Sequence, residues 1–326
     1  MITQRVDAVT AIPDSHRRSD PPAPKSVKIE LTGRCNWQCA FCALRHVPAD
    51  ERRTDMDFDF FKRITAEMML AGVTEIGVFY LGESFCAPDL LTRAIRYLKR
   101  DLGMPYVFLT TNGSLATPER VDDVMEAGLD SLKWSVNAAD PEQFERLMGV
   151  SPRLFERALD NLKWAQEVRD VNKYACRLYA SSIQYDGEQQ AKMERLLTER
   201  VRPFVDEFYW LPLYSMGSVA TQREEELGFR PTAGNQARIG ALRDPLPCWA
   251  CFNEAHVTAA GLLSACCFDA DGRFGMADLN HVGFMEGWRS AKFLELREAH
   301  LRKDVHGTVC RRCVAYVWDH EDLRGV

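Results

Sequence analysis

Three cysteines near the start of the sequence have a spacing that suits an iron–sulfur cluster. They are Cys35, Cys39 and Cys42, and they follow a short apolar segment. Soft thiolate ligands match iron, and one loop with three thiolates can wrap a face of a four-iron cube. Because three ligands leave one iron open, that iron can chelate a molecule that offers an amine and a carboxylate. A zinc knuckle that uses His46 as fourth ligand is the alternative.

A second set of cysteines lies near the other end of the sequence. It contains a Cys-x2-Cys pair, a Cys-Cys doublet and a closing Cys-x2-Cys pair. The chain has 11 cysteines and shows no hydrophobic signal segment, which favours metal ligands or reactive thiols over disulfides. This set therefore predicts a second metal site, with a split zinc ribbon as the alternative. Its members are Cys248, Cys251, Cys266, Cys267, Cys310 and Cys313.

Alternating strands and helices place the first set of cysteines at the end of a strand. Short segments rich in Val, Ile, Phe and Tyr alternate with amphipathic helices from about residue 27 to 215. This order predicts a βα-repeat domain with functional groups at the C-terminal ends of its strands. The periodicity leaves an open barrel and a doubly wound sheet as alternatives. The predicted strands are Val27–Leu31, Glu75–Leu81, Tyr106–Thr111, Ser131–Val136, Ala175–Ile183 and Glu207–Leu211.

The loop that carries Cys35, Cys39 and Cys42, with Phe41 before the last of them, resembles the signature of the radical S-adenosylmethionine (SAM) superfamily. The resemblance covers about residues 27 to 215 and implies an α/β fold, a partial (β/α)6 TIM-like barrel. It implies a [4Fe–4S] cluster that binds SAM and reductively cleaves it. The resulting 5′-deoxyadenosyl radical would abstract hydrogen from a substrate, and a flavodoxin with its reductase, or a ferredoxin, would donate the electron.

Polar residues at the ends of three predicted strands extend this resemblance. Leu81-Gly82-Glu83 is similar to the family's Gly-Gly-Glu motif, whose carboxylate binds the SAM amino group, although Leu81 replaces the first glycine. The family often places SAM contacts at the ends of the next two strands. Ser135 and Asn137, two residues apart, are expected to point to the same face of their strand. For Asn112-Gly113 an ordinary turn is the alternative. The predicted SAM contacts are Gly82, Glu83, Asn112, Ser135 and Asn137.

The spacing from Cys248 through Gly261 to Cys266 resembles the start of the SPASM and twitch domains of radical SAM enzymes. Six cysteines, where a full SPASM domain has seven, favour the twitch type with one auxiliary [4Fe–4S] cluster. Cys251 and Cys267 are then not needed as ligands, and each is expected to be a thiol that fills space in the packed domain. For Cys251 the alternative is a catalytic hydrogen-atom donor, as in radical SAM epimerases. The ligands that the resemblance implies are Cys248, Cys266, Cys310 and Cys313.

These observations predict three parts: a flexible arm over residues 1–26, the barrel over 27–225 and a small cysteine-rich domain over 226–326. An arm of this length is too short for an independent peptide-binding core. We therefore expect a small polar substrate, such as a sugar or aminocyclitol in natural-product biosynthesis, and either epimerisation or dehydrogenation. Modification of a peptide or protein side chain, as in sulfatase maturation or ribosomal peptide maturation, is the main alternative. A non-catalytic zinc-binding module is a remote one.

Charge and hydropathy restrict the partners and the location. A net charge of −6 argues against nucleic acid or an anionic membrane as the main partner. No apolar run reaches the length of a transmembrane helix, and we expect a cytoplasmic protein. Cys86 and Cys176 lie apart from both sets and are expected to be core thiols.

Overall fold

A computed structural model describes residues 1–48, 54–216 and 232–313. Its centre is a single sheet with the strand order β6-β5-β4-β3-β2-β1-β7-β8-β9. Neighbouring strands from β6 to β7 are parallel, whereas β8 and β9 run antiparallel to their neighbours. The strands are β1 Ser26–Ile29, β2 Glu75–Gly77, β3 Tyr106–Thr111, β4 Ser131–Ser135, β5 Arg177–Ile183, β6 Glu207–Leu211, β7 Glu254–Val257, β8 Leu262–Ser264 and β9 Gly275–Asp278.

Helices alternate with the first six strands, as the sequence predicts. Their ends follow local signals: Asp57 accepts a hydrogen bond from the Phe60 N–H at the start of α2, and Gly72 ends that helix with φ of 95°. Pro118 occupies the first turn of α4. The helices are α1 Ile2–Thr10, α2 Phe58–Ala71, α3 Pro88–Arg96, α4 Pro118–Glu126, α5 Pro141–Met148, α6 Arg153–Asn172, α7 Gly187–Arg200, α8 Ala250–Asn253, α9 Phe284–Trp288 and α10 Ala291–Leu301.

The six parallel strands with their helices form the partial (β/α)6 barrel that the sequence resemblance implies. The predicted bounds of β3 and β6 match the structure, and the other strands differ by a few residues at their ends. Apolar side chains on the strands and on the inner helix faces form one core, in which Ile29, Phe61 and Trp134 are fully or almost fully buried. Burial of such side chains is worth about 1.5–3 kcal/mol each.

The C-terminal cysteine-rich part continues the barrel sheet. Strand β7 pairs with β1 in parallel from Ser26↔Glu254 to Ile29↔Val257, and β8 and β9 extend the sheet beyond it. The sequence predicts a separate small domain, but backbone hydrogen bonds join the two parts directly. The predicted boundary at residues 225 and 226 lies outside the described residues.

The first 26 residues differ from the predicted flexible arm, because they contain helix α1 and pack against the barrel. Ile2 and Val9 are buried, at 5% and 6% exposure. The Ile2 N–H donates to Glu207 at the start of β6 (2.6 Å), and Arg5 pairs with Glu75 at the start of β2 (2.6 Å). Helix α1 therefore covers the N-terminal ends of the strands, which form the floor of the barrel.

Candidate active site

The loop after β1 carries the first three cysteines and is fastened to the barrel wall. Two of its backbone N–H groups donate to the carbonyls of Leu147 and Met148 at the end of α5, at 2.7 and 2.9 Å. Trp37, in the same loop, packs edge-on against Phe144 with ring centroids 4.9 Å apart. The three cysteines are half-buried, so a bound group can reach their thiols from within a fixed loop. They are Cys35, Cys39 and Cys42.

The Cys35 thiol lies in an environment that disfavours a thiolate unless a cation binds there. Burial raises the pKa of Cys35, and the negative charge of Glu83 raises it further. Iron supplies the positive charge that such a thiolate requires. The donor chemistry of this loop thus fits an iron–sulfur cluster.

Glu83 is a buried carboxylate that accepts only neutral hydrogen bonds. One oxygen accepts from the Thr111 hydroxyl (2.9 Å) and the Phe85 N–H (3.2 Å), and the other accepts from the Asn112 N–H (2.7 Å). Its exposure is 3%, and this burial raises the pKa of Glu83 despite the three donors. None of these donors compensates the charge of the carboxylate, whereas the ammonium group of SAM would do so.

Gly82 lets the Glu83 segment lie against the start of the cysteine loop. A Cβ at this position would come within 2.1 Å of the Thr32 carbonyl oxygen, so only glycine fits. The next N–H, that of Glu83, donates to the Arg34 carbonyl (2.8 Å). The close approach of two backbones thus brings the carboxylate beside the cysteines.

The predicted polar residues at the ends of β3 and β4 line one small cavity. The Asn112 amide donates to Asn36 (2.9 Å), and its oxygen accepts from the Ser114 N–H (3.0 Å), as in the predicted turn. Asn137 accepts from the Ile183 N–H (3.0 Å) and fixes the end of β5. The structure therefore brings together the residues predicted from these two neighbouring strand ends. The cavity is lined by Asn112, Ser135 and Asn137.

Trp134 lines the same cavity and is a residue that the sequence analysis missed. Its indole N–H is buried and has no hydrogen-bond partner among the described residues. Buried donors are normally paired, and a cavity of about 20 Å³ has room for one water molecule as the acceptor. The residue that makes room for this indole is Gly113, because a Cβ at position 113 would come within 2.3 Å of the indole nitrogen.

Five cysteines of the C-terminal part surround a second, enclosed cavity. His300 contacts two of the segments that carry these cysteines. Its Nδ1 accepts a hydrogen bond from the Cys248 N–H (3.2 Å), and its Nε2 lies 3.4 Å from the Cys310 sulfur. Burial raises the pKa of the Cys310 thiol, so a metal ion is again needed to stabilise its thiolate. The sulfur-rich lining fits an auxiliary iron–sulfur cluster. The cysteines are Cys248, Cys251, Cys266, Cys310 and Cys313.

A buried arginine supports the helix that carries Cys251. The Arg297 guanidinium is fully buried against the rings of Trp288 and Phe293, and its Nε donates to the Cys251 carbonyl (2.8 Å). Desolvation lowers the pKa of Arg297 to about 9, which still leaves it cationic at neutral pH. This residue therefore fixes one wall of the cysteine cavity.

The interior of the barrel forms a third cavity of about 220 Å³, and Cys267 lines it. Cys251, which the sequence analysis selected as hydrogen-atom donor, lines the enclosed cysteine cavity and is not among the residues that line the barrel cavity. The reason is that Cys251 lies on α8, next to Cys248, whereas the Cys266-Cys267 doublet lies between the two cavities. Of the two cysteines, Cys267 is therefore the one among the residues that line the barrel cavity.

A buried ion pair crosses the wall of the barrel cavity between β1 and β7. The Lys28 ammonium lies 2.8 Å from Glu254, and the His256 ring nitrogen lies 3.0 Å from the same carboxylate oxygen. Although burial opposes ionisation, Lys28 and His256 lower the pKa of Glu254 to about 2. The pKa of His256 is lowered by desolvation, so Glu254 and Lys28 carry opposite charges beside a neutral imidazole.

The two remaining cysteines differ in their burial. Cys176 is buried in the core, as predicted. Cys86 is half-buried and lies close enough to Cys35 and Glu83 for its charge to affect Cys35. Burial, with Glu83, raises the pKa of the Cys86 thiol to about 11.

Within the described ranges, no three His, Cys, Asp or Glu side chains are arranged to hold a single metal ion. The side chain of His46 lies outside the described residues. Over the same residues, no helix is long and apolar enough to cross a membrane.

Comparison with known protein families agrees with this geometry. Residues 29–176 match the family model of the Radical SAM superfamily, and residues 248–314 match that of the SPASM iron–sulfur cluster-binding domain. This chain belongs to the radical SAM superfamily and carries a C-terminal SPASM domain. Its cofactors are accordingly SAM, the [4Fe–4S] cluster that binds it and an auxiliary iron–sulfur cluster.

Curated relatives match less than half of the sequence. An AdoMet-dependent heme synthase of Methanosarcina barkeri is 33% identical over 148 residues, which is 43% of this chain and 39% of that protein. A PqqA peptide cyclase of a Methylobacterium species is 31% identical over 129 residues, which is 40% of this chain and 33% of that protein. The chain thus matches only about a third to two-fifths of the length of these relatives.

A solved structure supports the fold over almost the whole chain. The crystal structure of BtrN in complex with AdoMet and 2-DOIA superposes with a TM-score of 0.58. It covers 89% of this chain and 92% of BtrN, at 15% sequence identity. At this identity the similarity shows a common fold.

Proposed function

We propose that this radical SAM enzyme removes hydrogen from a small polar metabolite, such as a sugar, and epimerises or dehydrogenates it. In this proposal one cluster is held by Cys35, Cys39 and Cys42, and the auxiliary cluster by Cys248, Cys266, Cys310 and Cys313. SAM on the first cluster supplies the 5′-deoxyadenosyl radical that abstracts the hydrogen. A small redox protein of the flavodoxin or ferredoxin type donates the electron.

In this proposal, different residues around the first site bind different parts of SAM. Glu83 pairs with the ammonium group, and Gly82 keeps that carboxylate beside the cysteine loop. Asn112, Ser135 and Asn137, at the ends of β3 and β4, offer polar groups to the remaining parts of SAM.

The barrel cavity is the observation that carries the proposed substrate class. Helix α1 covers the barrel floor, and the cavity of about 220 Å³ is smaller than the 300–1,000 Å³ common for drug-sized ligands. Lysines, tyrosines and hydroxyl groups line it, as suits a hydroxylated metabolite. Thr110 and Lys133, two of these residues, lie just before the strand ends assigned to SAM.

Peptide modification is the second candidate, since a PqqA peptide cyclase is among the relatives. A cavity of this volume would then admit one side chain of the peptide. Both candidates are tested by anaerobic reconstitution with iron, sulfide, SAM and dithionite, followed by incubation with deuterated sugars. Deuterium in 5′-deoxyadenosine from a sugar supports the metabolite proposal, and its transfer only from deuterated peptides overturns it.

The position of Cys267 allows epimerisation and dehydrogenation to be separated. In an epimerase, the Cys267 S–H bond breaks and its hydrogen atom passes to the substrate radical, leaving a thiyl radical that takes up one electron and one proton. In deuterium oxide the inverted carbon then gains solvent deuterium. Cys267→Ala should still form 5′-deoxyadenosine but lose the inverted product, and Cys251→Ala is the matched control. An oxidised product without deuterium identifies a dehydrogenase.

A further inference from the structure

The cations that line the barrel cavity are almost all paired with carboxylates. Arg5 pairs with Glu75 (2.6 Å), and Lys28 pairs with Glu254 (2.8 Å). Arg238 is held by Asp7 through two bonds, at 2.6 and 2.8 Å. Each of these three positive charges is therefore compensated within the protein. The charged side chains of the lining are Arg5, Lys28, Lys133, Arg238 and Glu254.

Lys133 is the exception among these cations. Its ammonium group lies 5.7 Å from the ring centroid of Tyr209, and within the described ranges it forms no ion pair. The residue is half-buried in the middle of β4, so its charge is partly removed from water. An ammonium group in such a place can form a charge-assisted hydrogen bond with an anion that enters the cavity.

The register of β4 places Lys133 directly below the assigned SAM contacts. Lys133 and Ser135 share one face of the strand because side chains alternate along it. Two residues of a strand span about 7 Å. A group bound by Lys133 would thus position the rest of a small molecule close to the site of the SAM-derived radical.

From this unpaired charge we infer that the substrate carries an acidic group, a carboxylate or a phosphate, which Lys133 binds. This inference rests on the proposed function and narrows its substrate class. Thr110 and Ser131 add hydroxyl groups on neighbouring strands of the same cavity, and Asn235 adds an amide. The acid compensates the ammonium charge, whereas a cationic aminocyclitol is repelled by it. A sugar acid or sugar phosphate therefore fits better than an aminocyclitol.

The test measures binding to the reconstituted holoenzyme with SAM bound, by isothermal titration calorimetry. The probes are glucuronate, glucose 6-phosphate, uncharged glucose and the cationic aminocyclitol 2-deoxystreptamine. We expect at least one acid to bind at least tenfold more tightly than glucose, and the better of the two acids identifies the source of the charge. Lys133→Met should abolish this tenfold preference, and Lys133→Arg should retain most of it. Lys62→Met, on the outer surface of α2, is the control and should bind all probes as the unmodified protein does.

Iron content and uncoupled SAM cleavage are recorded for every variant, because they depend on the first site and not on Lys133. The inference is overturned if neither acid binds more tightly than glucose, if 2-deoxystreptamine binds best, or if Lys133→Met keeps the preference for acids. If the unmodified enzyme does not cleave SAM, the proposed function is overturned instead. The two failures are therefore distinguishable.

Discussion

The two cysteine-rich sites differ in how far they are closed. The three cysteines of the first site are half-buried in a loop beside the buried carboxylate of Glu83. The second site surrounds its cavity with five cysteines, three of which are buried, and a buried arginine supports its wall. An iron site that must admit a ligand keeps an open position, whereas a site that only holds its metal can be sealed.

The two sites also differ in their composition. The first site has fewer cysteines, and it has a carboxylate, Glu83, whose negative charge complements the ammonium group of SAM. The second has sulfur on several sides and no comparable carboxylate among the residues that line its cavity. We therefore expect substitutions in the first site to act on SAM, and substitutions in the second to act on iron content and stability.

The strongest test of this contrast is the simultaneous replacement of Cys35, Cys39 and Cys42 by Ala. SAM cleavage should be abolished, while iron falls from about eight to about four per chain because the auxiliary cluster remains. Iron analysis and detection of 5′-deoxyadenosine measure the two effects. Cleavage that survives in this variant would show that the first site is misassigned.

The reciprocal test replaces Cys310 and Cys313 by Ser. Iron should again fall to about four per chain, but SAM should bind as before. Thermal unfolding should shift to lower temperature, since metal binding contributes to folding free energy and two hydroxyl groups replace ligands in a closed cavity. Cys267→Ser is the control and should keep its iron. Loss of SAM binding in the double variant would contradict the separation of the two sites.

A smaller effect is expected for Glu83→Gln, which keeps the shape of the side chain and removes its charge. SAM affinity should fall on the order of tenfold, corresponding to a lost charge-assisted bond of about 1.5–3 kcal/mol. Equilibrium dialysis with labelled SAM measures it, and iron content should not change. The exposed Glu126→Gln serves as control. Equal affinity in both variants would remove Glu83 from the SAM site.

The smallest effect is expected for Cys86→Ala. Although Cys86 lies near Cys35, we assign it no ligand role, so iron content and SAM cleavage should stay close to those of the unmodified enzyme. The same iron and 5′-deoxyadenosine assays apply. A loss of iron comparable to that in the triple variant would make Cys86 a fourth protein ligand and would close the first site.

Much of the barrel could be predicted because its signals are local. Short β-branched and aromatic segments give the strands, and the polar residues after β2, β3 and β4 converge because parallel strands end at one edge of the sheet. Glu83 could be selected from its motif. Its burial and its three neutral donors depend on the close approach that Gly82 permits, which is visible only in three dimensions.

Other features could not be predicted, for identifiable reasons. Helix α1 is short and polar overall, and the spacing of Ile2, Val6 and Val9 was its only apolar signal. The choice between Cys251 and Cys267 depends on which cavity each residue faces, and spacing along the chain carries no such information. The pairing of β7 with β1 joins segments more than 220 residues apart, and no local pattern specifies such a contact.

The pairing of β1 with β7 has a consequence for electron transfer. The first strand leads into the cysteine loop, and β7 follows directly after the helix that carries Cys251. A continuous ladder of hydrogen bonds thus holds both metal sites in one rigid frame. Because tunnelling between redox centres weakens steeply with distance, we expect such a frame to hold constant the distance on which any electron exchange between the two sites would depend.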